Sequence, residues 1–147
     1  MVRRFRPSQP ATEDQVRAWH AAVEPARLER DQLELAVTNA GDGRLLGGVT
    51  LWGVRLKHRS AMMNYSVAAE ARGAGVATGA VRLLARWCFA GLHLARIQLF
   101  IVPDNDASRR VAERCGFVHE GTLGSHMEYA GQRHDSLVYG LLTGELR

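Results

Sequence analysis

Apolar and polar residues alternate at the start of a series of three predicted strands in the first half of the chain. Residues 32–39 show this pattern of period two, which is typical of a strand with one buried face, and residues 45–52 and 61–68 are predicted as the second and third strands. Residues 40–44 separate the first two segments and contain two glycines. The pattern therefore predicts a hairpin followed by a third strand.

Two helices are predicted in the second half of the chain. Residues 76–90 carry apolar side chains three or four positions apart, and Gly91 suits the end of such a helix. Residues 106–115 form the second helix, because Asn105 is placed to cap its start and Gly116 to end it. Both helices follow predicted strands, which indicates helical crossovers in an α/β fold.

The other elements complete the predicted architecture. A capping box starts a helix at residues 12–23, and residues 96–102 form a short buried strand. A strand at residues 117–121 and a final strand at residues 134–142 lie on either side of a turn within residues 128–133. Hairpins at both ends with crossovers between them predict a mixed sheet covered by helices.

Composition bounds the class of protein. The chain has 147 residues, of which 46% are hydrophobic and 23% charged, so residues 1–147 are expected to form a single domain. No apolar run approaches the roughly 18 residues of a membrane span, and no signal-peptide pattern is present. We expect no membrane partner and a cytoplasmic protein. Cys88 and Cys115 have no metal-ligand spacing and are expected to be packed thiols, so no metal is predicted.

The charge is compatible with a phosphorylated ligand. The net charge is +4 and the isoelectric point about 9.7, but the arginines are dispersed and Lys57 is the only lysine. A nucleic-acid module would predict steeply salt-dependent binding, and it needs a clustered basic face that the sequence does not show. We therefore expect no nucleic-acid partner.

A turn of small residues joins the third strand to the long helix. It consists of Arg72, Gly73, Ala74, Gly75, Val76 and Ala77. A helix start carries about half a positive charge, and glycine lets an anion approach the backbone. The Arg72 guanidinium adds a fork suited to phosphate. The turn predicts a pyrophosphate site, although a plain strand-to-helix connection uses the same residues.

Two motifs resemble those of the GNAT N-acetyltransferase superfamily. Arg72, Gly75 and Ala77 match its acetyl-CoA loop, Arg-x-x-Gly-x-Ala. Residues 105–117 resemble its second signature, Asn-x-x-Ser-x-x-apolar-x-x-x-x-Gly-Phe, and residues 135–141 resemble the branch that acetylates ribosomal-protein N-termini. Neither the dinucleotide fingerprint nor a P-loop occurs.

The resemblance covers about residues 45–142 and implies both a fold and a reaction. The implied fold is an α/β (α+β) domain with a mixed, largely antiparallel sheet, a central splay and flanking helices. The implied reaction moves an acetyl group directly from acetyl-CoA to a primary amine, either a protein N-terminal α-amine or a small molecule. A strand bulge is implied near Ser66, Val67 and Ala68, where backbone pairs with the pantetheine arm.

The second motif supplies further candidates. By resemblance, Asn105 bonds the pantetheine arm and Ser108 donates a proton to the leaving thiolate. The residues alone also allow Asn105 to be only a helix cap and Ser108 only a first-turn serine. Arg109 and Arg110 either reach the cofactor phosphates or stay solvated. Tyr65 is expected to pack, with its hydroxyl at the rim.

The proton acceptor for the amine has several candidates. Glu128, just before Tyr129, corresponds to a glutamate of the N-terminal acetylating branch after a one-residue shift. Glu120, His119 and His126 are alternatives. Glu120 is equally interpretable as an exposed strand carboxylate, and either histidine as a surface or hydrogen-bonded residue. An α-amine has a pKa of about 8, so a water chain to a carboxylate is enough to collect its proton.

One difference from the resembling branch concerns the start of the chain. Members of that branch usually begin with additional residues, so either an edge strand is missing or residues 2–6 replace it. A bare edge at residues 32–39 would favour a homodimer. An alternative function is a non-catalytic acyl-CoA-binding domain, which would bind the thioester without turnover.

Overall fold

The structure is a computed structural model and describes residues 32–147, which form one six-stranded sheet with two α-helices. The strands are β1 (Gln32–Thr38), β2 (Leu45–Arg55), β3 (Ser60–Val67), β4 (Arg96–Ile101), β5 (Val118–Tyr129) and β6 (Gln132–Leu142). The helices are α1 (Val76–Ala90) and α2 (Asp106–Cys115). The helix predicted at residues 12–23 and the expectation for residues 2–6 lie outside the described residues.

The sheet is mixed and largely antiparallel, as predicted. Its strand order is β1-β2-β3-β4-β6-β5, and the β3–β4 pair is parallel while every other neighbouring pair is antiparallel. The parallel pair follows from connectivity, because α1 crosses over between the two strands. The joint between β3 and β4 therefore divides the sheet into two antiparallel halves.

Both helices cover the same face of the sheet. In β4, Ile97, Leu99 and Ile101 are buried while the residues between them are partly exposed. The core side meets the apolar stripe of α1 and the inner residues of α2. These helix residues are Val81, Leu84, Ala85, Cys88, Ala112 and Cys115. Tight packing of small side chains lets α1 and α2 lie close to the sheet.

Both cysteines pack as predicted. Cys88 and Cys115 are free and buried in the core, and burial raises the pKa of the Cys88 thiol to about 12. The pKa of Cys115 is raised as well, mainly by burial. Thiolate chemistry is therefore suppressed at both positions. Within residues 32–147, no helix is long and apolar enough to cross a membrane.

The β5–β6 hairpin is longer than the sequence predicts. β5 continues to Tyr129 instead of stopping near residue 121, and the hairpin closes at Ala130 and Gly131, both with positive φ (51° and 74°). Gly121 and Gly124 obscured the strand because glycine has a low β-propensity. The extension carries the hairpin past the end of β4.

Candidate functional site

The parallel pair of strands opens into a splay. β3 and β4 pair only at Ser60–Arg96, Ala61–Ile97 and Met62–Gln98. Beyond these positions β3 continues on β2 to Val67, and β4 continues on β6 to Ile101. Residues 63–67 and 99–101 thus form two walls of backbone without a ladder between them. An extended ligand placed there would find hydrogen-bonding groups on both sides.

The splay does not arise from the bulge expected near Ser66, Val67 and Ala68, and that expectation was wrong. β3 keeps one register with β2 through Val67, and the irregularity of this ladder lies between Trp52 and Arg55 instead. β4 also keeps one register with β6 throughout. The two ladders that border the opening are therefore regular where β3 and β4 separate.

The turn before α1 is exposed and leaves the helix start accessible. Gly73 and Gly75 both have φ of 77°, and no atom lies within 4 Å of a Cβ built on either. Gly75 is the N-cap of α1, no side chain caps the helix, and its first turn has no acidic residue. The first amides of α1 thus lack a side-chain acceptor, which is the arrangement that an anion satisfies.

The Arg72 side chain connects this turn to the end of β3, at the edge of the splay. Its Nε donates to the carbonyl oxygen of Val67 at 3.3 Å, so the guanidinium lies beside the end of β3. Ala71, one residue earlier, is buried and anchors the turn in the core. The predicted pyrophosphate turn and the open end of β3 are therefore held next to each other.

Asn105 caps α2, as one of the two interpretations of this residue predicted. Its Oδ1 accepts a hydrogen bond from the Ser108 backbone N–H at 3.1 Å. The Tyr65 hydroxyl donates to the Ser108 carbonyl oxygen at 3.2 Å. Since Tyr65 lies on the splayed part of β3 and α2 follows β4, this bond joins the two walls on the helix side. The sequence analysis missed this bridge, although a half-buried tyrosine hydroxyl needs a partner.

The two arginines after Ser108 are placed differently. Arg109 Nη1 bonds Asp106 Oδ1 at 2.9 Å, one turn earlier in α2. Arg110 is exposed on the same helix. The Asp106 carboxylate thus competes with any cofactor phosphate for Arg109.

Aromatic rings lie side by side on the sheet face opposite the helices. The ring centroids of Trp52 and Phe100 are 6.5 Å apart, and those of Phe100 and His126 are 5.0 Å apart. Asn64, on the splayed part of β3, accepts from Trp52 Nε1 at 3.1 Å when its amide is oriented toward the indole. This row spans β2, β4 and β5 and therefore crosses the opening.

The two carboxylates proposed from sequence are both paired. Glu128 faces Arg133 at 3.7 Å, and both side chains are 59% exposed. Glu120 forms a bidentate pair with Arg96, with one of its two bonds at 2.8 Å, and this hydrogen bonding lowers the pKa of Glu120. His119 stacks on Tyr139 at 5.3 Å, near the base of the hairpin. Neither Glu120 nor His119 has a described contact with the opening.

The Arg96–Glu120 pair predicts a pH-dependent contribution to stability. Because the pKa of Glu120 is lower in the folded state, the contribution is present above the unfolded pKa near 4.3 and is lost as the pH falls through the folded value. Glu120→Gln is expected to lower the free energy of unfolding by about 1 kcal/mol at pH 7, since the pair is partly exposed. Urea unfolding at pH 7 and pH 3 measures the difference.

A matched control lies on the same strand. Glu128→Gln removes a longer and more exposed pair and is expected to change stability by less than about 0.5 kcal/mol at both pH values. Equal losses for the two variants would contradict the assignment of the effect to the Arg96 pair.

Two cavities lie near β3 and β4, one at their paired end and one past the open end of β4. One, of about 190 Å³, is lined by Gly53, Arg55, Ser60, Ala61, Met62 and Gln98. The other, of about 410 Å³, lies just past the end of β4 and is lined by Val102, Pro103, Asp104, Arg133, His134 and Asp135. In the described part of the chain, no group of three or more His, Cys, Asp or Glu residues is arranged to hold a metal ion.

Comparison with known proteins identifies the family to which this chain, with its splayed sheet and uncapped helix start, belongs. Residues 1–118 match the family described as "Acetyltransferase (GNAT) domain", and the chain belongs to it. It is 36% identical over 104 residues to YdaF of Bacillus subtilis, whose name assigns it to ribosomal N-acetyltransferases, covering 71% of this chain and 57% of that protein. It is 32% identical over 91 residues to spermidine N(1)-acetyltransferase of Vibrio cholerae, covering 62% and 53%.

A solved structure supports the same assignment. RimJ of Mycobacterium smegmatis, solved in complex with CoA-disulfide, superimposes with a TM-score of 0.82 at 26% identity, covering 93% of this chain and 69% of RimJ. The chain thus spans a little more than half the length of the curated relatives named above.

Proposed function

We propose that this domain binds acetyl-CoA and transfers its acetyl group to a primary amine. The observation that carries the proposal is the splay between β3 and β4 with the uncapped start of α1 beside it. Two half-sheets that diverge leave backbone groups for an extended arm, and a helix start nearby favours the phosphate end of that arm. Membership of the GNAT family supports the same chemistry.

Each proposed binding residue has a role that fits its position. The backbone amides of residues 72–77 hold the pyrophosphate, with Arg72 beside them. The backbone of Ser66, Val67 and Ala68 pairs with the pantetheine arm. Asn105 contributes its amide nitrogen, since its oxygen is engaged in the cap. Bound acetyl-CoA supplies the activated acetyl group as a thioester.

Ser108 is proposed to protonate the leaving sulfur. It lies half-buried in the first turn of α2, where the helix dipole lowers the cost of a developing negative charge. Glu128 stays the sequence-based prediction for the proton acceptor. Glu128 is paired with Arg133 near the tip of the β5–β6 hairpin, so a second candidate for the proton acceptor is considered below.

The acceptor is proposed to be a protein N-terminal α-amine or a polyamine. The names of the relatives in the comparison include a ribosomal N-acetyltransferase and a spermidine N(1)-acetyltransferase, which supports these two kinds of acceptor. The cavity past the end of β4 carries Asp104 and Asp135, which suit a cationic amine, beside the cationic Arg133. A homodimer, the use of β1 as its edge and a cytoplasmic location stay predictions.

Purified protein distinguishes this function from its rivals. Calorimetric titration with coenzyme A is expected to show stoichiometric binding, and acetyl-CoA with Ala- or Ser-initiated peptides or spermidine is expected to release free thiol. Binding without thiol release across the amine panel would favour the non-catalytic alternative. An absence of binding heat would refute both.

A further inference from the structure

We propose that His126, held in place by Ser136, accepts the proton that the acceptor amine loses during acetyl transfer. The proposal rests on the proposed function and names a different proton acceptor from the sequence-based Glu128. Three features of the β5–β6 hairpin carry it: a strained bulge, a hydrogen bond to a buried serine, and a ring contact with a wall of the opening.

A bulge in β5 directs His126 toward its neighbours. Leu123 faces Ser136 and Met127 faces His134, so β5 has two more residues than β6 between these pairs. Ser125 within this bulge has φ of 49°, a conformation that is unfavourable for a residue other than glycine. Strain of this kind persists only where the surroundings enforce it, and bulges of this kind re-aim a side chain.

The hydrogen bonds around Ser125 hold its backbone in this positive-φ conformation. Its N–H donates to Asp135 Oδ1 at 2.7 Å, and its carbonyl oxygen accepts from Arg133 Nε at 2.9 Å. Two side chains of β6 thus bind the backbone of the bulge from both ends. The residue that this arrangement presents to β6 and β4 is His126.

The imidazole is oriented by a buried hydroxyl. His126 Nδ1 lies 3.0 Å from Ser136 Oγ, and Ser136 is fully buried. When Nδ1–H donates to this oxygen, Nε2 keeps its lone pair and can accept a proton. After protonation both nitrogens are donors, and the hydrogen bond to Ser136 is retained. Because a hydroxyl can also donate, the bond to Ser136 orients the ring in either tautomer, and the proposed role requires the Nδ1–H form, which leaves Nε2 basic.

The ring also reaches the opening of the sheet. The His126 ring contacts that of Phe100, with the centroids 5.0 Å apart and the planes tilted by 41°, and Phe100 lies in the part of β4 that no longer pairs with β3. Glu128, by contrast, faces Arg133, four positions past the last β6 partner of β4. That spacing corresponds to roughly 13 Å along the strand. His126 is therefore the titratable side chain of β5 with a described contact to a wall of the splay.

The charged groups nearest the hairpin line the cavity past the end of β4, whose lining does not include His126. They are Arg133, His134 and Asp135 on β6 and Asp104 in the β4–α2 loop. Glu128 pairs with Arg133, and Asp135 accepts from the Ser125 N–H, so both carboxylates already have partners. In the proposed step Asp104 and Asp135 attract a cationic amine to this end of the sheet, and His126 takes its proton.

The transfer step balances in atoms and charge. The amine begins as an ammonium and loses two protons in all. Its nitrogen forms the bond to the acetyl carbon while the carbon–sulfur bond breaks, and the sulfur keeps that electron pair. One proton passes to His126 Nε2 and then to water, and the other reaches the sulfur by way of Ser108. The products are the amide and the free thiol, with one proton released to solvent.

The test compares His126→Asn with three controls. The asparagine keeps a donor toward Ser136 but cannot accept a proton, so kcat is expected to fall about 100-fold at pH 7, the lower end of the range for lost general-base catalysis. Coenzyme A affinity is expected to stay within about twofold, because the substitution leaves the α1 start unchanged. His119→Asn removes the other β5 histidine with a ring contact, which has no described contact with the opening, and is expected to leave kcat essentially unchanged. Glu128→Gln tests the rival acceptor, and the proposal requires its kcat loss to be the smaller of the two. Ser136→Ala is the third comparison.

The pH–rate profile and rescue identify the role. The acidic limb of kcat is expected to disappear in His126→Asn and to shift in Ser136→Ala. In His126→Ala, imidazole added to the buffer is expected to restore turnover in proportion to its unprotonated form. Nitrogen-15 NMR of the unliganded protein is expected to show the Nδ1–H tautomer, with less of it in Ser136→Ala.

Three outcomes would overturn the proposal. They are an unchanged pH profile in His126→Asn, a larger kcat loss in Glu128→Gln than in His126→Asn, and an Nε2–H tautomer in the unliganded protein. Coenzyme A binding without turnover in the unsubstituted protein would instead refute the proposed function, and this role with it. Calorimetry with coenzyme A thus separates the two failures.

Discussion

Replacing Ala74 by aspartate is expected to weaken coenzyme A binding about 100-fold, a loss of about 2.7 kcal/mol. Ala74 lies exposed between Gly73 and Gly75, directly before the uncapped start of α1. A carboxylate there repels a diphosphate and occupies the same positive potential. The same charge stabilises the helix start by a few tenths of a kcal/mol. Binding and stability should therefore change in opposite directions.

Ala74→Asn is the matched control for this prediction. The amide has nearly the size of the carboxylate but carries no charge, so its effect on affinity is expected to stay within about fivefold. Calorimetric titration gives the affinities, and thermal unfolding without ligand gives the stabilities. Equal affinities for Ala74→Asp and the unchanged protein would show that the anion does not bind at the start of α1.

Gly47→Ala is expected to destabilise the protein by about 3 kcal/mol, the upper range for inserting atoms into a packed site. Gly47 pairs with Val67 on the wall of the splay, and a Cβ built on it would overlap the carbonyl oxygen of Ser66. The obstacle is backbone, so no rotamer change relieves it. The end of β3 must shift, and coenzyme A binding is expected to weaken with it.

The adjacent glycine provides the comparison. A Cβ on Gly48 would have the Leu35 carbonyl oxygen at 3.6 Å and Ser66 Oγ at 3.8 Å, which are ordinary contacts. Gly48→Ala is therefore expected to be neutral or to stabilise by about 0.5 kcal/mol, because alanine loses less conformational entropy in a strand. Urea unfolding of both variants measures the difference. A similar stability for the two alanine variants would contradict the close approach of β2 and β3 at Gly47.

Local chemistry explains why the helices were predicted with their observed bounds. α1 begins after Gly75, and α2 begins after Asn105 and ends before Gly116. These signals act within one turn of the chain, so sequence alone carries them. The predicted order of elements along the chain follows similarly from local sequence patterns. The mixed sheet follows from the position of the crossover helix between two strands.

Other features depend on residues far apart in the chain. The splay was predicted from resemblance, but its expected cause, a bulge at residues 66–68, was wrong because the two ladders that border the opening are regular there. The bulge that does exist in the hairpin brings His126 to Ser136, and only strand pairing determines it. Gly124 followed by Ser125 was the one sequence signal that could have indicated it.

By itself, the sequence determined which segments become strands and helices and where a turn frees the amides of α1. It did so because hydrophobic period and capping are properties of neighbouring residues. The tertiary structure alone decided that Tyr65 bridges to Ser108, that Glu128 pairs with Arg133, and that an imidazole lies beside the opening. These contacts depend on how the two half-sheets diverge and on where the β5–β6 hairpin lies against them. Both the divergence and the position of the hairpin are determined by strand pairing summed over the whole sheet.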